Sequence, residues 1–516
     1  MGAGILPAVV VADRMLTLVD TSPLTGESID VGARIGWTLR MARLTASSGI
    51  DARLRSMARE LGSSSANLSR LETGQRRVGV LIDGYERVLG LAEGSLRAPV
   101  DVLCRGFARV APRDADPGGF PATVEEMSAL TEAVLGPEPV SGGQWMRWSG
   151  ALAQPGNLSL PRELFLGATR RLCVELGRSV GSAYPTRYEA LSRLRCSPYG
   201  RWVVDVAREV VADPCASGTF DVMSGVGESW ADDVESWFLE LLRTGTTTRQ
   251  VMAGSLGLEN TGEIVGERFW ESVFDELVAA FDASAAGSAS EEWAAHLLRL
   301  VPLSVLDSCP RRPARPLPPV PEGDETDAST LSALWEHCVE AAERITVDLG
   351  LARQPMLARL LYDVAFCPWE SRAVTSYMLL DALDAFAGGL AREVHHLASV
   401  APASRIKERL VSRWMHSPYA HDASLRGDWI GDDDPVVRGA GLEAAGASGV
   451  QLPEAVLLEA MADPRTASSA VISAGLSGHR LVRVGGGVGE QGGPLLREEV
   501  RHGLAWWASA GARITL

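Results

Sequence analysis

Lysine is nearly absent from this chain, in which Lys407 is the single lysine among 49 Lys and Arg residues. Alanine, glycine and valine are used heavily. This usage is typical of a GC-rich bacterial genome, such as an actinobacterial one. It carries no information about mechanism, which has to come from other features.

Cysteine is sparse and scattered. The seven cysteines form no C-x-x-C pair and no zinc-finger spacing, so reduced structural thiols without a metal are expected. No run approaches the ~18 consecutive apolar residues that a membrane helix needs. The apolar opening from Met1 to Val11 lacks the basic segment of a signal peptide. We therefore expect a cytoplasmic protein with no membrane partner.

Two of the commonest enzyme signatures are also missing. The sequence contains neither the phosphate-binding pattern G-x-x-x-x-G-K-[ST] nor the zinc-binding pattern H-E-x-x-H. We predict no catalytic residues, no cofactor and no enzymatic activity. No segment shows sustained strand-type alternation, and the apolar residues recur at helical spacing, which predicts an all-α fold.

The clearest local pattern starts at residue 54. Leu54, Met57, Ala58 and Leu61 are spaced along one face of a helix, and Gly62 can adopt the positive φ that ends it. The spacing predicts a short helix that stops at this glycine.

A second short helix is predicted directly afterwards. Ser64 is a suitable N-cap for a helix over Ser65 to Thr73, with Leu68 and Leu71 facing inward and Gly74 as its stop. Two short helices joined by a tight turn that contains glycine predict a helix-turn-helix.

The outward face of the second helix carries small and polar side chains, which suit close approach to base edges in a major groove. Two arginines follow the helix and are placed for phosphate contacts. The predicted base-reading residues are Ser65, Ala66, Asn67, Ser69 and Arg70, and the predicted phosphate contacts are Arg40, Arg76 and Arg77.

About 75 residues around this segment resemble the phage-repressor and Cro-like (XRE) helix-turn-helix family. The resemblance rests on Leu39-Arg-x-Ala-Arg43, then Met57-Ala58 and Leu61-Gly62, and finally Leu68-Ser-Arg-Leu-Glu72-x-Gly74. It implies a five-helix domain that binds double-stranded DNA as a homodimer.

The resemblance also implies particular elements. The family's first helix corresponds to Val31 to Leu44, its fourth to Leu81 to Leu91, and its fifth begins near Leu96. Arg43 is expected to pair with Glu72 and so to tie the first helix to the recognition helix.

Charge is distributed unevenly along the chain. Between Val31 and Arg113 there are 14 Arg against 7 Asp and Glu, a net charge of +7, whereas the whole chain carries −16. A basic island in an acidic protein is typical of a nucleic-acid-binding unit. The alternative is a five-helix domain whose arginines are only solvated and which contacts proteins.

The remaining chain is divided by composition. We predict a lead-in over 1–30, the DNA-binding domain over 31–110, a helical domain over 120–308, a proline-rich acidic linker over 309–328, and a second helical domain over 329–516.

The last of these domains resembles HEAT repeats. Asp432 to Gly446 has the Asp-Pro helix opening and the following Val-Arg-x-x-x-Leu, and a weaker copy starts at Asp463-Pro464. This period is typical of stacked helix pairs. The 14 tryptophans, found mostly in the helical domains, are expected to fill seams between helices, or alternatively to line a pocket for a small-molecule effector.

These patterns predict a sequence-specific DNA-binding transcriptional regulator whose helical part dimerises, senses an effector or binds a protein partner. One alternative is a helical-repeat interaction scaffold whose small domain docks a partner. Another is an enzyme with its site in the helical halves, such as a defence effector that is controlled by its DNA-binding domain.

Overall fold

The computed structural model describes residues 17–24, 28–46, 53–75, 79–107, 123–154, 160–319, 328–367, 369–401, 404–414, 429–484 and 496–515. The fold is all-α, as predicted. Within these ranges the chain forms 26 α-helices and one short 3-10 helix, and the extended backbone pairs only in an isolated bridge between Ser179 and Ile514.

The N-terminal unit contains five helices. They are α1 (Val31–Leu44), α2 (Leu54–Glu60), α3 (Ser65–Glu72), α4 (Gly79–Leu89) and α5 (Arg97–Phe107). The bounds of α1 agree with the prediction, and the side chain of Asp30 caps it by accepting from the Ala33 N–H at 2.9 Å. Helix α4 ends two residues earlier than predicted, because Gly90 has a φ of 68°.

A first arm of stacked helices follows the N-terminal unit. Its helices are α6 (Val124–Leu135), α7 (Gly142–Ala153), α8 (Arg162–Leu176), α9 (Ala183–Arg195), α10 (Gly200–Ala212), α11 (Thr219–Gly227), α12 (Asp232–Thr244), α13 (Thr248–Val265), α14 (Glu267–Ala283), α15 (Ala289–Leu300) and α16 (Leu303–Ser308). Helices α7, α9, α11, α13 and α15 pack in succession, and α8 packs on α10 beside them. Two rows of helices stacked in this way are typical of an α-solenoid.

The second arm comprises the helices after the proline-rich segment. They are α17 (Ala328–Asp348), α18 (Pro355–Phe366), α19 (Glu370–Asp381), α20 (Ala387–Val400), α21 (Ser404–Trp414), α22 (Pro435–Ala447), α23 (Glu454–Ala462), α24 (Ala467–Ser477), α25 (Arg480–Val484) and α26 (Glu498–Ala510), with the 3-10 turn Asp384–Phe386 before α20. Helices α18, α21, α22, α24 and α26 pack in succession.

The segment with HEAT-like sequence forms a pair of closely packed helices. Asp434 caps α22 by accepting from the Val436 N–H at 2.8 Å. A Cβ on Gly446 would lie 2.7 Å from the Cα of Ser473 in α24, so the two helices touch through their backbones. The predicted helix opening is present at Asp434-Pro435, and the two helices pack tightly. At the weaker copy the opening is not as predicted, because α24 begins at Ala467 and not at Pro464.

The beginning of the predicted linker over 309–328 is bound to the first arm. The Arg315 guanidinium donates to the Phe281 carbonyl at 2.8 Å and to the Ser284 carbonyl at 3.0 Å. The N–H of Ala314 donates to Asp282 at 2.8 Å. Residues 309–319 therefore lie along the arm, and residues 320–327 are outside the described ranges.

The N-terminal unit is continuous with both arms. A single cluster of buried apolar side chains extends from α1 to α22. Helix α5 contacts α9 and α13 of the first arm and α19 of the second. The predicted domain boundaries in the sequence thus separate segments that share one core. Trp37, Trp145, Trp148 and Trp507 are fully buried in helix seams, in accord with the first of the two interpretations of the tryptophans.

Candidate nucleic-acid interface

Helices α2 and α3 are joined by a tight turn in which Gly62 has a φ of 57°. Ser64 caps α3, and its Oγ accepts from the Asn67 N–H at 3.1 Å. Both features arise from local sequence, because glycine adopts positive φ without steric cost and serine is a favoured N-cap. The turn and the start of α3 lie where the sequence predicts them.

The inner side of α3 is fixed by a buried ionic cluster. Arg43 donates from Nε and Nη2 to the two carboxylate oxygens of Glu72, each at 2.6 Å. The Tyr85 hydroxyl donates to the same carboxylate at 2.7 Å. Burial and the adjacent Glu72 raise the pKa of Tyr85 well above its ordinary value, which keeps this hydroxyl a donor. The pair implied by the family resemblance is present, and Tyr85 completes it.

Helix α1 approaches the end of α3 at backbone distance. A Cβ on Gly36 would lie 2.6 Å from the Gly74 nitrogen and 2.8 Å from the Glu72 carbonyl oxygen. A Cβ on Gly32 would lie 2.6 Å from the Gly74 carbonyl oxygen. Since backbone atoms cannot rotate away, a side chain at either position would push the end of α3 away from α1.

The opposite side of α3 faces outward. Ala66, Ser69 and Arg70 are exposed, and Ser65 and Asn67 are partly exposed. All five predicted base-reading residues therefore lie on the accessible side, while Leu68 and Leu71, which the sequence placed inward, are fully buried.

The predicted phosphate contact of Arg40 is wrong for this conformation. Arg40 is only 3% exposed, because α1 is covered on nearly all sides by the N-terminal unit and the second arm. A guanidinium in this position cannot reach a phosphate. Arg76 and Arg77 lie outside the described residues.

Much of the basic island is neutralised internally. Arg97 pairs with Asp83 and Asp101, and Arg105 with Glu189 and Glu228. Arg34 and Arg43 also form buried ion pairs. The net charge of the island therefore overstates the charge available to a polyanion.

Two exposed arginines that the sequence analysis did not single out stand on α2. Arg55 and Arg59 are both exposed, and they are four residues apart on one helical face. A signal for them existed in the sequence, because they fall outside the apolar stripe formed by Leu54, Met57, Ala58 and Leu61. With Arg70 they supply exposed positive charge on the helix pair α2–α3.

A buried carboxylate on α4 binds the backbone at the start of α5. Glu86 accepts from the N–H groups of Gly94, Leu96 and Arg97 at 2.7–2.8 Å. Burial nevertheless raises the pKa of Glu86 to about 7.

This shift predicts a pH dependence. Because the folded-state pKa of Glu86 lies above its unfolded value, its contribution to stability is complete below about pH 4.5 and is lost as the pH rises through 7, by about 3 kcal/mol. Urea unfolding of the unsubstituted protein and of Glu86→Gln at pH 5 and pH 8 measures this. We expect the stability advantage of the unsubstituted protein to shrink at pH 8, and a difference independent of pH would contradict the assignment.

One acyl-transfer pattern occurs in the chain. Gly177-Arg-Ser-Val-Gly181 matches G-x-S-x-G, which in hydrolases places an exposed serine on a strand-to-helix turn. Here the segment joins helices α8 and α9, and Ser179 is 7% exposed with its Oγ donating to the Glu175 carbonyl at 2.7 Å. This geometry does not match a nucleophile.

The described ranges contain no group of three or more His, Cys, Asp or Glu side chains placed to hold a metal ion. In the same ranges no helix combines the length and the apolar character needed to cross a bilayer. The face of α2 and α3 is thus the best-defined candidate surface. No protein-family model matches the sequence, and comparison with curated proteins finds no relative.

Proposed function

We propose that this chain is a cytoplasmic, sequence-specific DNA-binding regulator that inserts α3 into a major groove and acts as a homodimer. One observation carries the proposal: α3 is rigidly held on its inner side by Arg43, Glu72 and Tyr85, while all five small or polar residues of its outer side are accessible. A helix that reads bases needs both properties.

The residues have distinct roles in this proposal. Asn67 and Arg70 have the side chains that pair with adenine and guanine edges, respectively. Arg55 and Arg59 replace Arg40 as phosphate contacts, because they are exposed on α2 beside α3. Ser65, Ala66 and Ser69 are short enough to allow close approach of the helix backbone to the base pairs.

Separate substitutions distinguish these roles. Arg70→Ala should remove about 1–3 kcal/mol of discrimination at one base pair. Arg59→Ala should weaken binding to all DNA and lower the slope of log affinity against log salt by about one unit. Fluorescence anisotropy with specific and scrambled duplexes over a salt series measures both effects.

Arg87→Ala provides the control, since Arg87 is exposed on α4 rather than on the helix pair α2–α3. It should leave sequence preference unchanged. An equal loss of affinity for specific and scrambled duplexes in Arg70→Ala would rule out the base-reading role of this arginine.

A second function, an interaction scaffold, is favoured by a different observation. The successive packing of α7, α9, α11, α13 and α15 is typical of solenoids, which bind proteins along extended surfaces. In this case the N-terminal unit would dock a protein, and the duplex titrations would show only weak, salt-sensitive binding without sequence preference.

A further inference from the structure

The side of α1 that faces away from α3 is bound to the second arm by a buried ionic network. Arg34 of α1 donates from Nη2 to Asp363 of α18 at 2.5 Å and from Nη1 to Ser376 of α19 at 2.9 Å. Its Nε donates to Asp20 of the lead-in at 2.7 Å. The side chains of Arg34, Asp363 and Asp20 are fully buried, so the low local dielectric strengthens these contacts.

The same network fastens the lead-in to the arm. Arg359 donates to the carbonyls of Ser22 and Pro23 at 2.8 and 2.6 Å. Arg372 donates to the Pro23 carbonyl at 3.2 Å and lies 2.9 Å from Asp363. The segment from Asp20 to Pro23 is therefore bound between α1 and the second arm.

A second contact lies one helical turn along α1. The Trp37 indole N–H donates to the side-chain oxygen of Gln354 at 3.1 Å, and its ring centroid lies 5.8 Å from that of Phe386. Trp37 is fully buried. Two successive turns of α1 are thus bound to residues more than 300 positions later in the chain.

We propose that Arg34 and Asp363, together with Trp37 and Gln354, are positioning residues for DNA recognition, so that the second arm sets the DNA affinity through α1. This positioning role rests on the proposed function of α3. Helix α1 contacts the end of α3 through Gly32 and Gly36 with no space between the backbones. A displacement of α18 or α19 that moves α1 therefore moves α3 as well.

Coupling of this kind is reciprocal. A ligand or protein that binds the second arm and shifts α18 changes DNA affinity, and DNA changes the affinity for that ligand by the same factor. The second arm is then the regulatory part of the molecule. The ligand or protein that regulates it binds one position of α18 more tightly than another.

The test compares conservative substitutions at the network with the same change elsewhere. Asp363→Asn keeps the shape of the side chain and removes its charge. Gln354→Ala removes the acceptor for Trp37 together with the side-chain donor to the Ala352 carbonyl at 3.1 Å. Glu175→Gln is the matched control, because Glu175 is a buried carboxylate in the first arm that accepts from the Trp145 indole at 2.9 Å and from Arg187 at 3.0 Å.

Affinities for a selected duplex and for a scrambled duplex are measured at a temperature where circular dichroism shows each variant to be folded. We expect Asp363→Asn and Gln354→Ala to bind the selected duplex about tenfold more weakly or worse, with unchanged binding to the scrambled duplex and an unchanged salt slope. Glu175→Gln should match the unsubstituted protein. A general loss of stability would not lower the specific affinity alone.

The outcomes are separable. If Asp363→Asn fails to fold, Gln354→Ala decides, because it removes two neutral hydrogen bonds and no charge. Unchanged specific affinity in a folded Gln354→Ala or Asp363→Asn would overturn the coupling and leave the proposed function intact. Absence of sequence preference in the unsubstituted protein would overturn the proposed function itself, and with it the coupling.

Discussion

Glu72→Gln should lower the free energy of unfolding of the N-terminal unit by about 3–5 kcal/mol. The substitution leaves the fully buried Arg43 guanidinium beside a neutral amide. It also puts an amide donor in the place of one carboxylate oxygen, although Arg43 and Tyr85 both need an acceptor there. A buried charge that loses its partner pays the full desolvation cost. Urea unfolding followed by circular dichroism measures the loss.

The chain offers a matched exposed pair as the control. Arg170 donates to both carboxylate oxygens of Glu209 at 2.6 and 2.8 Å, with the two side chains about half exposed. Glu209→Gln should therefore change stability by less than about 1 kcal/mol. Similar losses for the two variants would show that Glu72 is solvated and that α3 is not fixed by this cluster.

Gly36→Ala should displace α3 and abolish specific DNA binding. The added Cβ would meet backbone atoms of Glu72 and Gly74 at 2.6–2.8 Å, where no side chain can move aside. Overpacking of this kind destabilises by about 1–3 kcal/mol. Because α3 must shift by a few tenths of an ångström or more, we expect the affinity for a specific duplex to fall toward that for scrambled DNA.

Gly106→Ala is the corresponding control. Gly106 lies inside α5, and among the described residues a Cβ at this position meets no atom within 4 Å beyond the backbone of its own helix. Alanine is the better helix former, so this variant should be as stable as the unsubstituted protein or more stable by up to about 1 kcal/mol. Wild-type affinity in Gly36→Ala would contradict the backbone contact between α1 and α3.

Local signals made parts of the candidate site predictable. Ser64 and Gly62 act on their own backbone neighbours, so the sequence alone located the turn and the start of α3. The pairing of Arg43 with Glu72 came from the family resemblance, since Glu72 is 29 residues away and no local pattern selects it. The apolar spacing was sufficient for the all-α fold because helical periodicity is a local property.

Distant contacts explain what the sequence could not reveal. Arg40 was predicted to contact phosphates, yet it is buried, and the second arm helps to cover α1. Arg34 finds Asp363 at a separation of 329 residues, and nothing in either local sequence marks the pair. The same limitation hid the neutralisation of Arg97 and Arg105, and so made the basic island look stronger than it is.

The central claim is that the outward face of α3 reads DNA sequence. Its most direct test is selection of bound genomic fragments by the purified full-length protein at physiological salt, carried out in parallel with Arg70→Ala. The account predicts an enriched inverted repeat that is lost or relaxed at one base pair of each half-site in the variant. Recovery of fragments without any common sequence, or an identical motif from Arg70→Ala, would contradict it.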